Sequence, residues 1–300
     1  MKKGDVIRKR YSALGEMIQG THSANYIAID MVSCCSVMLK TDIPEEELEN
    51  WADAKKKLAT CKNNLNNIFD IMDIFVFESK SYIVTEYLDV TLLEILNQRK
   101  PFDISLLYNS LTQTLLIFEG IGIIHTDIKP SNIMYSVHQN VFKVIDFGSS
   151  TTHNTSGTEY IQSRYYRAPE VIFGIASNIE IDVWSVGCVL AECILGTPLF
   201  PAESDEEHIF LLFHVIGQPS LEFYKKITKN KLFLQQANQN IYLADSILEK
   251  IEKEDDLQNL VIDEMVEDFP HFGVIKKLLT FDFNERATPS QLLDMLISFE

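Results

Sequence analysis

The run His125-Thr126-Asp127-Ile128-Lys129-Pro130-Ser131-Asn132, followed after Val141–Ile145 by Asp146-Phe147-Gly148, constrains this chain more than any other feature. An acid, a lysine two residues later and an amide five residues later share one short loop. A second acid follows a stretch that reads as a strand. The set offers two carboxylates and a carboxamide for one hard divalent cation, which prefers oxygen ligands, with an ammonium group beside them. Asp-Phe-Gly alone is a weak signal, because many turns contain it. The joint occurrence, in this order and with a strand between, is what narrows the choice of fold.

Three further segments fit the same scheme. Ala168-Pro169-Glu170 closes the segment that opens at Asp146. Asp182-Val183-Trp184-Ser185-Val186-Gly187 opens a helix soon after, and Arg286 lies in Asp282-Phe283-Asn284-Glu285-Arg286-Ala287-Thr288. A buried Glu170–Arg286 ion pair is expected to brace this part. With these residues the chain resembles a eukaryotic protein kinase over essentially its whole length. The resemblance implies an α+β, bilobal protein-kinase fold, with a small β-rich lobe at about 1–87, a hinge at about 86–89 and a larger helical lobe at about 90–300. It implies transfer of the γ-phosphate of ATP, with Mg2+, to serine or threonine of protein substrates. That chemistry rests on placing charge rather than on many reactive groups. Asp127 is the expected base or orienter, Lys129 steadies the departing phosphoryl group, and Asn132 and Asp146 hold Mg2+. A lysine at position 129 marks serine/threonine rather than tyrosine kinases in the family.

The stretch Tyr160-Ile161-Gln162-Ser163-Arg164-Tyr165-Tyr166-Arg167 and the run Gly196-Thr197-Pro198-Leu199-Phe200-Pro201 are similar to the CMGC group, above all to its dual-specificity tyrosine-regulated and homeodomain-interacting kinases. The His-Thr-Asp triplet is like that of kinases acting on Ser/Arg-rich splicing factors. Thr126 stands where many kinases carry an arginine that binds an activation-loop phosphate. The resemblance implies autophosphorylation of Tyr160, with Arg164 and Arg167 as charge-assisted partners, and a preference for proline after the acceptor set by Arg167.

The nucleotide side departs from the pattern. Lys40, ending Val37-Met38-Leu39-Lys40, is the expected partner of the α- and β-phosphates, but Met38 stands where a small residue normally leaves room for adenine. The phosphate loop is expected at Leu14-Gly15-Glu16-Met17-Ile18-Gln19-Gly20-Thr21-His22. Met17 replaces its middle glycine, where backbone must approach phosphate closely. Glu86 and Leu88 are expected to meet the adenine, with Thr85 behind it. Counting from Lys40, the acid that pairs with it is Asp53 or Glu49. These departures raise an alternative, a pseudokinase scaffold with weak or no turnover. A small-molecule phosphotransferase on the same fold is a third reading, opposed by the Ala-Pro-Glu closure.

Polar and apolar residues alternate over 11–40, which predicts a β-meander. A helix is expected over 43–65, opened by Asp42 and Pro44, with Glu45–Glu47 in its first turn. Strands are expected at 68–77, 81–88, 133–135 and 141–145, and helices at 91–97, 104–121, 180–195 and 205–216. Residues 218–268 read as less regular, with an acidic tract over 245–268. Of 300 residues, 46% are hydrophobic, enough for a substantial core, and the net charge is −17. That charge gives no reason to bind nucleic acid and suits basic substrates. The longest apolar runs fall short of the roughly 20 residues that span a bilayer, and no terminal segment resembles a signal peptide. A soluble intracellular protein is expected, its five cysteines buried as free thiols.

Overall fold

The computed structural model describes residues 1–16, 24–61, 65–155, 157, 160–217, 219, 220, 223, 225 and 272–297. Six strands form one antiparallel sheet in the order β1-β2-β3-β4-β6-β5: β1 (Val6–Ile7), β2 (Tyr11–Glu16), β3 (Ala24–Asp30), β4 (Cys35–Thr41), β5 (Ile71–Phe77) and β6 (Lys80–Glu86). Period-two alternation builds it. Along β3 the side chains of Ala24, Tyr26, Ala28 and Asp30 are buried while those between are half-buried, as expected of a strand with one face inward. Leu39 and Val37 of β4 pack with Tyr26 and Ala28 in a small core. Lys40 points to the opposite face, level with Asn25 on β3 and Ile83 on β6.

Helix α1 (Glu45–Leu58) covers that face. Three acids in its first turn and three lysines in its last match the helix dipole. Trp51, Ala54 and Leu58 form its buried stripe. The helix is shorter than the sequence suggests. It ends at Leu58, where Thr60 donates its hydroxyl to the Lys57 carbonyl (2.7 Å) and the Cys61 N–H closes on Leu58 (3.0 Å). Asp42 is no cap either. Pro44 takes that position without a side-chain bond, and Asp42 pairs with Lys80 at 3.0 Å.

The chain leaves the sheet through 87–89 and enters the helical part. A three-stranded sheet, β7 (Val90–Thr91), β8 (Ile133–Ser136) and β9 (Val141–Val144), lies at the junction. Helix α2 (Leu92–Asn97) opens with a capping box between Thr91 and Glu94. Helix α3 (Ile104–Ile121) opens on Asp103, which accepts from the Ser105 and Leu106 N–H groups, and stops at Gly122 in the left-handed region (φ 65°), where a side chain would be strained. Its stripe of Leu107, Leu111, Leu115 and Phe118 is fully buried. The remaining α-helices among the described residues are α4 (Pro169–Ile172), α5 (Glu180–Leu195), α6 (Asp205–Ile216), α7 (Phe272–Leu278) and α8 (Pro289–Ile297). Every residue of α5 from Ile181 to Glu192 is buried, so it is the central pillar. One hydrophobic core runs from Trp51 and Leu58 of α1 down to Leu278 and Leu292.

Two expectations need correction or fall away. Cys34, in the turn between β3 and β4, and Cys35, at the start of β4, are exposed, whereas Cys188 is buried. The acidic tract and most of 218–268 lie outside the described residues. Among the described residues no helix is long and apolar enough to cross a membrane.

Candidate active site

The loop from His125 to Asn132 is held from below by Asp182, the third residue of α5. Its carboxylate is wholly buried and accepts the His125 N–H (2.6 Å) and the Thr126 N–H (2.9 Å). Burial pushes its pKa up to about 7, against the pull of those two N–H groups. His125 is buried too, and burial lowers its pKa despite the nearby Asp127 carboxylate. The ring is therefore neutral, and its bonds fix the tautomer: Nε2–H donates to the Ile145 carbonyl (3.0 Å) and Nδ1 accepts the Asp127 N–H (3.3 Å). It lies edge-to-face on Phe147 (5.4 Å between centroids), and Phe147 meets Trp51 of α1 in the same way (5.8 Å). A column of rings thus joins the catalytic loop, the Asp146 turn and α1.

Above that base, Asp127 is the centre of a compact cluster. Oδ2 meets Lys129 Nζ at 2.8 Å and accepts from Asn132 Nδ2 at 2.9 Å. Oδ1 accepts from the Ser163 hydroxyl at 2.7 Å, and that hydroxyl accepts from Lys129 Nζ at 2.9 Å. Ser163 therefore places an alcohol oxygen against the carboxylate and the ammonium at once. Asn132 also donates from Nδ2 to the Asp127 carbonyl (2.9 Å). With Nδ2 so engaged, Oδ1 remains as an oxygen donor. The Asn132 carbonyl accepts the Ile145 N–H (2.9 Å), which fixes the amide next to the Asp146 turn.

Asp146 sits in the left-handed region (φ 68°), a strained conformation for a residue with a side chain. Its carboxylate pairs with Lys40 Nζ at 2.8 Å and accepts the Gly148 N–H at 3.3 Å. Burial raises its pKa, but the Lys40 charge and the two hydrogen bonds outweigh it, so the carboxyl is held below its usual range. The side chain stays 39% exposed, open enough to take a ligand. Asp146 and the free Asn132 oxygen fit a hard cation that completes its shell with phosphate oxygens and water. When bound, such an ion neutralises the charge that builds on a transferring phosphoryl group.

Several other expected residues are accounted for. Leu14 is exposed and lies with Gly15 and Glu16 in β2, at a register shift against β3. Among the described residues, no protein atom beyond its chain neighbours lies within 4 Å of a Cβ built at Gly15. Met17, Ile18, Gln19, Gly20, Thr21 and His22 lie outside the described residues. Thr85 is buried at the end of β6, level with Met38. The Glu86 carboxylate is turned away to Lys143 (2.8 and 2.9 Å) and the Asp70 N–H (2.7 Å), so only its backbone is left for a ligand, and Leu88 is buried beside it.

The expected pairing of Lys40 with an acid of α1 is corrected, since Lys40 pairs with Asp146 instead. Asp53 and Glu49 are both exposed on the far side of the helix. Glu47 is on the inner side, one turn before Trp51, and a Cβ added at Gly148 would meet its Oε2 at 2.9 Å. The spacing 47, 51, 54, 58 was readable as one helix face. Asn50 and Ser163 were also missed. Asn50 donates to the Gly148 carbonyl at 2.7 Å. No local signal marks Ser163, whose partners lie 34 and 36 residues away.

Farther along, Glu170 and Arg286 form the expected buried pair (2.6 and 2.9 Å). Tyr160 is 64% exposed. Its ring lies 3.9 Å from the Arg167 guanidinium, its hydroxyl donates to Asp205 (3.0 Å), and Arg164 donates to that hydroxyl (3.3 Å).

An acid–lysine–hydroxyl cluster lies near an acid and an amide that could hold a metal, between a sheet and a helical body, and this arrangement is of the kind found in kinases. The whole fold is similar to a solved kinase-domain crystal structure at a TM-score of 0.78 and 22% identity, covering 98% of this chain and 96% of that one. The chain belongs to the protein kinase domain family, whose pattern matches residues 11–296. It is similar to human dual specificity tyrosine-phosphorylation-regulated kinase 4 (32% identity over 77% of this chain and 45% of that protein). It is also similar to the serine/threonine-protein kinase ppk5 of Schizosaccharomyces pombe (34%, over 60% and 22%) and to the dual specificity protein kinase YAK1 homolog of Arabidopsis thaliana (38%, over 55% and 18%). The matched regions span less than half the length of each of these relatives.

Proposed function

We propose that this chain transfers the γ-phosphoryl group of ATP to serine or threonine hydroxyls of protein substrates. The observation that carries the reading is the Asp127–Lys129–Ser163 cluster. A substrate alcohol that displaced the Ser163 hydroxyl, or bound beside it, would find a carboxylate to accept its hydrogen bond and an ammonium to meet the transferring group. Lys40 would leave Asp146 for the α- and β-phosphates. Asp146 and Asn132 would then hold Mg2+. The buried, neutral His125 keeps the Asp127 backbone in register.

The scaffold alternative rested on Met17 and on an unplaced acid. Against it, Asp127, Lys129, Asn132, Asp146 and Lys40 are all retained. For substrates we infer basic sequences with proline after the acceptor, working in the cell interior. The net charge of −17 supports the first and the Arg167–Gln162 contact the second (2.7 Å). The test is phosphorylation of a generic basic protein with labelled ATP and Mg2+, wild type beside Asp127→Asn. Loss of at least about a hundredfold is expected from removing the base; equal signals overturn the reading.

A further inference from the structure

We propose that Lys40 is held on the α1 side by the face of Trp51 rather than by a carboxylate. The inference rests on the ATP reading above and concerns how that site keeps its lysine in place. Lys40 Nζ lies 5.2 Å from the centroid of the Trp51 ring, within the roughly 6 Å over which a cation is drawn to an indole face. Both partners are largely removed from water: Trp51 is 2% exposed and the Lys40 side chain 13%. Desolvation is the condition under which this contact is strongest. Lys40 makes its ion pair with Asp146, and none joins it to Glu47, although Glu47 faces the same turn.

The difference matters for the chemistry. A second carboxylate, on α1, would stay beside the ammonium after Asp146 releases it and would cancel part of its charge. An indole face orients the ammonium without supplying that opposing charge. The same ring edges onto Phe147 (5.8 Å, 72°), and the neighbouring Asn50 bonds the Gly148 carbonyl (2.7 Å). Helix α1 therefore grips both sides of the Lys40–Asp146 pair through two adjacent residues, without an acid.

The experiment compares Trp51→Phe, which keeps an aromatic face, with Trp51→Leu, which fills space without one, and with Glu47→Gln. Calorimetric Mg·ATP affinity, KM for ATP, kcat and melting temperature are measured on each. With equal melting temperatures for the two Trp51 variants, Trp51→Leu is expected to weaken Mg·ATP about 5–10-fold and Trp51→Phe about 2–3-fold, the range of a desolvated cation–π contact. Glu47→Gln is expected to stay within about twofold on the same reasoning. Equal losses in the two Trp51 variants, or a tenfold loss in Glu47→Gln alone, overturn the inference. In nucleotide-free protein the Lys40 side-chain NMR resonances are expected to carry an upfield ring-current shift that Trp51→Leu abolishes and Trp51→Phe partly keeps. An unshifted Lys40 sinks the inference even if the protein binds nucleotide. A shifted Lys40 in a protein that binds no Mg·ATP sinks the ATP reading instead.

Discussion

Arg286 meets Glu170 fork to fork, with Nη1 on Oε1 at 2.6 Å and Nη2 on Oε2 at 2.9 Å, and neither side chain has any solvent exposure. The guanidinium also donates to the carbonyls of Glu180 (2.7 Å) and Thr280 (3.1 Å) and lies 5.0 Å from the Trp184 ring centroid. One side chain thus joins the end of the activation segment, the start of α5 and the turn after α7. Breaking the pair strands a charge in the core. Glu170→Ala is expected to cost about 3–5 kcal/mol, and Arg286→Met a similar amount. The double variant Glu170→Leu/Arg286→Met should lose less than the sum, because it buries no lone charge. Urea unfolding midpoints check this; additive losses would mean the two side chains act independently.

Asp182 sets a pH dependence of the opposite sign to ordinary acid denaturation. Its folded-state pKa of about 7, raised by burial, lies above the roughly 3.9 of an unfolded aspartate. Between those values the native state binds more protons than the unfolded chain, so this group's contribution falls as pH rises from about 4 to about 7 and is constant above. Asp30 works the other way: the Arg10 guanidinium holds its carboxyl low, and that contribution is lost as pH falls. Asp182→Asn cannot titrate and keeps one of the two accepted bonds. The stability advantage of wild type over this variant should therefore shrink as pH is raised from 4.5 to 7.5. A difference independent of pH would show that Asp182 does not titrate in that window.

Tyr160 stands at a charge junction that phosphorylation would reverse. Its hydroxyl now donates to Asp205, which is also drawn to Arg167 (3.2 Å). A phosphate there would repel Asp205 and take over Arg164 and Arg167 through charge-assisted bonds. Mass spectrometry of protein made in bacteria should find phosphotyrosine at 160 in wild type and none in Asp127→Asn. Asp205→Asn, which removes the repulsion, should raise the melting-temperature gain that the phosphate brings. Wild type free of phosphate at Tyr160 would count against self-modification.

How much of this was legible beforehand divides along physical lines. Asp127, Lys129, Asn132 and Asp146 were readable because a short loop and a strand fix their separation, and no packing choice alters it. Helix α3 was readable to the residue, since Asp103 and Gly122 mark both ends with chemistry that works locally. The length of α1 was not, because Thr60 and Cys61 stop it with bonds that composition does not announce. Counting from Lys40 also misled: it led to the exposed Asp53 and Glu49, whereas the inner face of α1 sets the Trp51 ring against Lys40. Ser163 and Trp51 acquire their roles only from contacts across the fold, which spacing along the chain cannot encode. The exposed Cys34 and Cys35 were missed because a tight turn and the strand end that follows it carry them outward, against the usual burial of thiols.

Gln162 lies in the left-handed region (φ 65°), and its carbonyl accepts from Arg167 Nη2 at 2.7 Å. The side chain anchors that geometry, with Nε2 donating to the Ile181 carbonyl (2.9 Å) and the Ser185 hydroxyl (2.8 Å) while Oε1 accepts the Ala168 N–H (3.0 Å). This residue immediately precedes Ser163, so its backbone borders the place where the residue after a phosphoacceptor would run. An ordinary residue there brings an N–H that must leave water, and the carbonyl best placed to accept it is already engaged. Leaving such a donor unpaired costs about 1–3 kcal/mol. Proline has no N–H and escapes the cost. Peptides with proline after the acceptor should be phosphorylated with kcat/KM about tenfold above their alanine counterparts, consistent with that range. Arg167→Gln frees the carbonyl and should narrow the ratio mainly by improving the alanine peptide. A ratio near one in wild type would dismiss the carbonyl as the source of specificity.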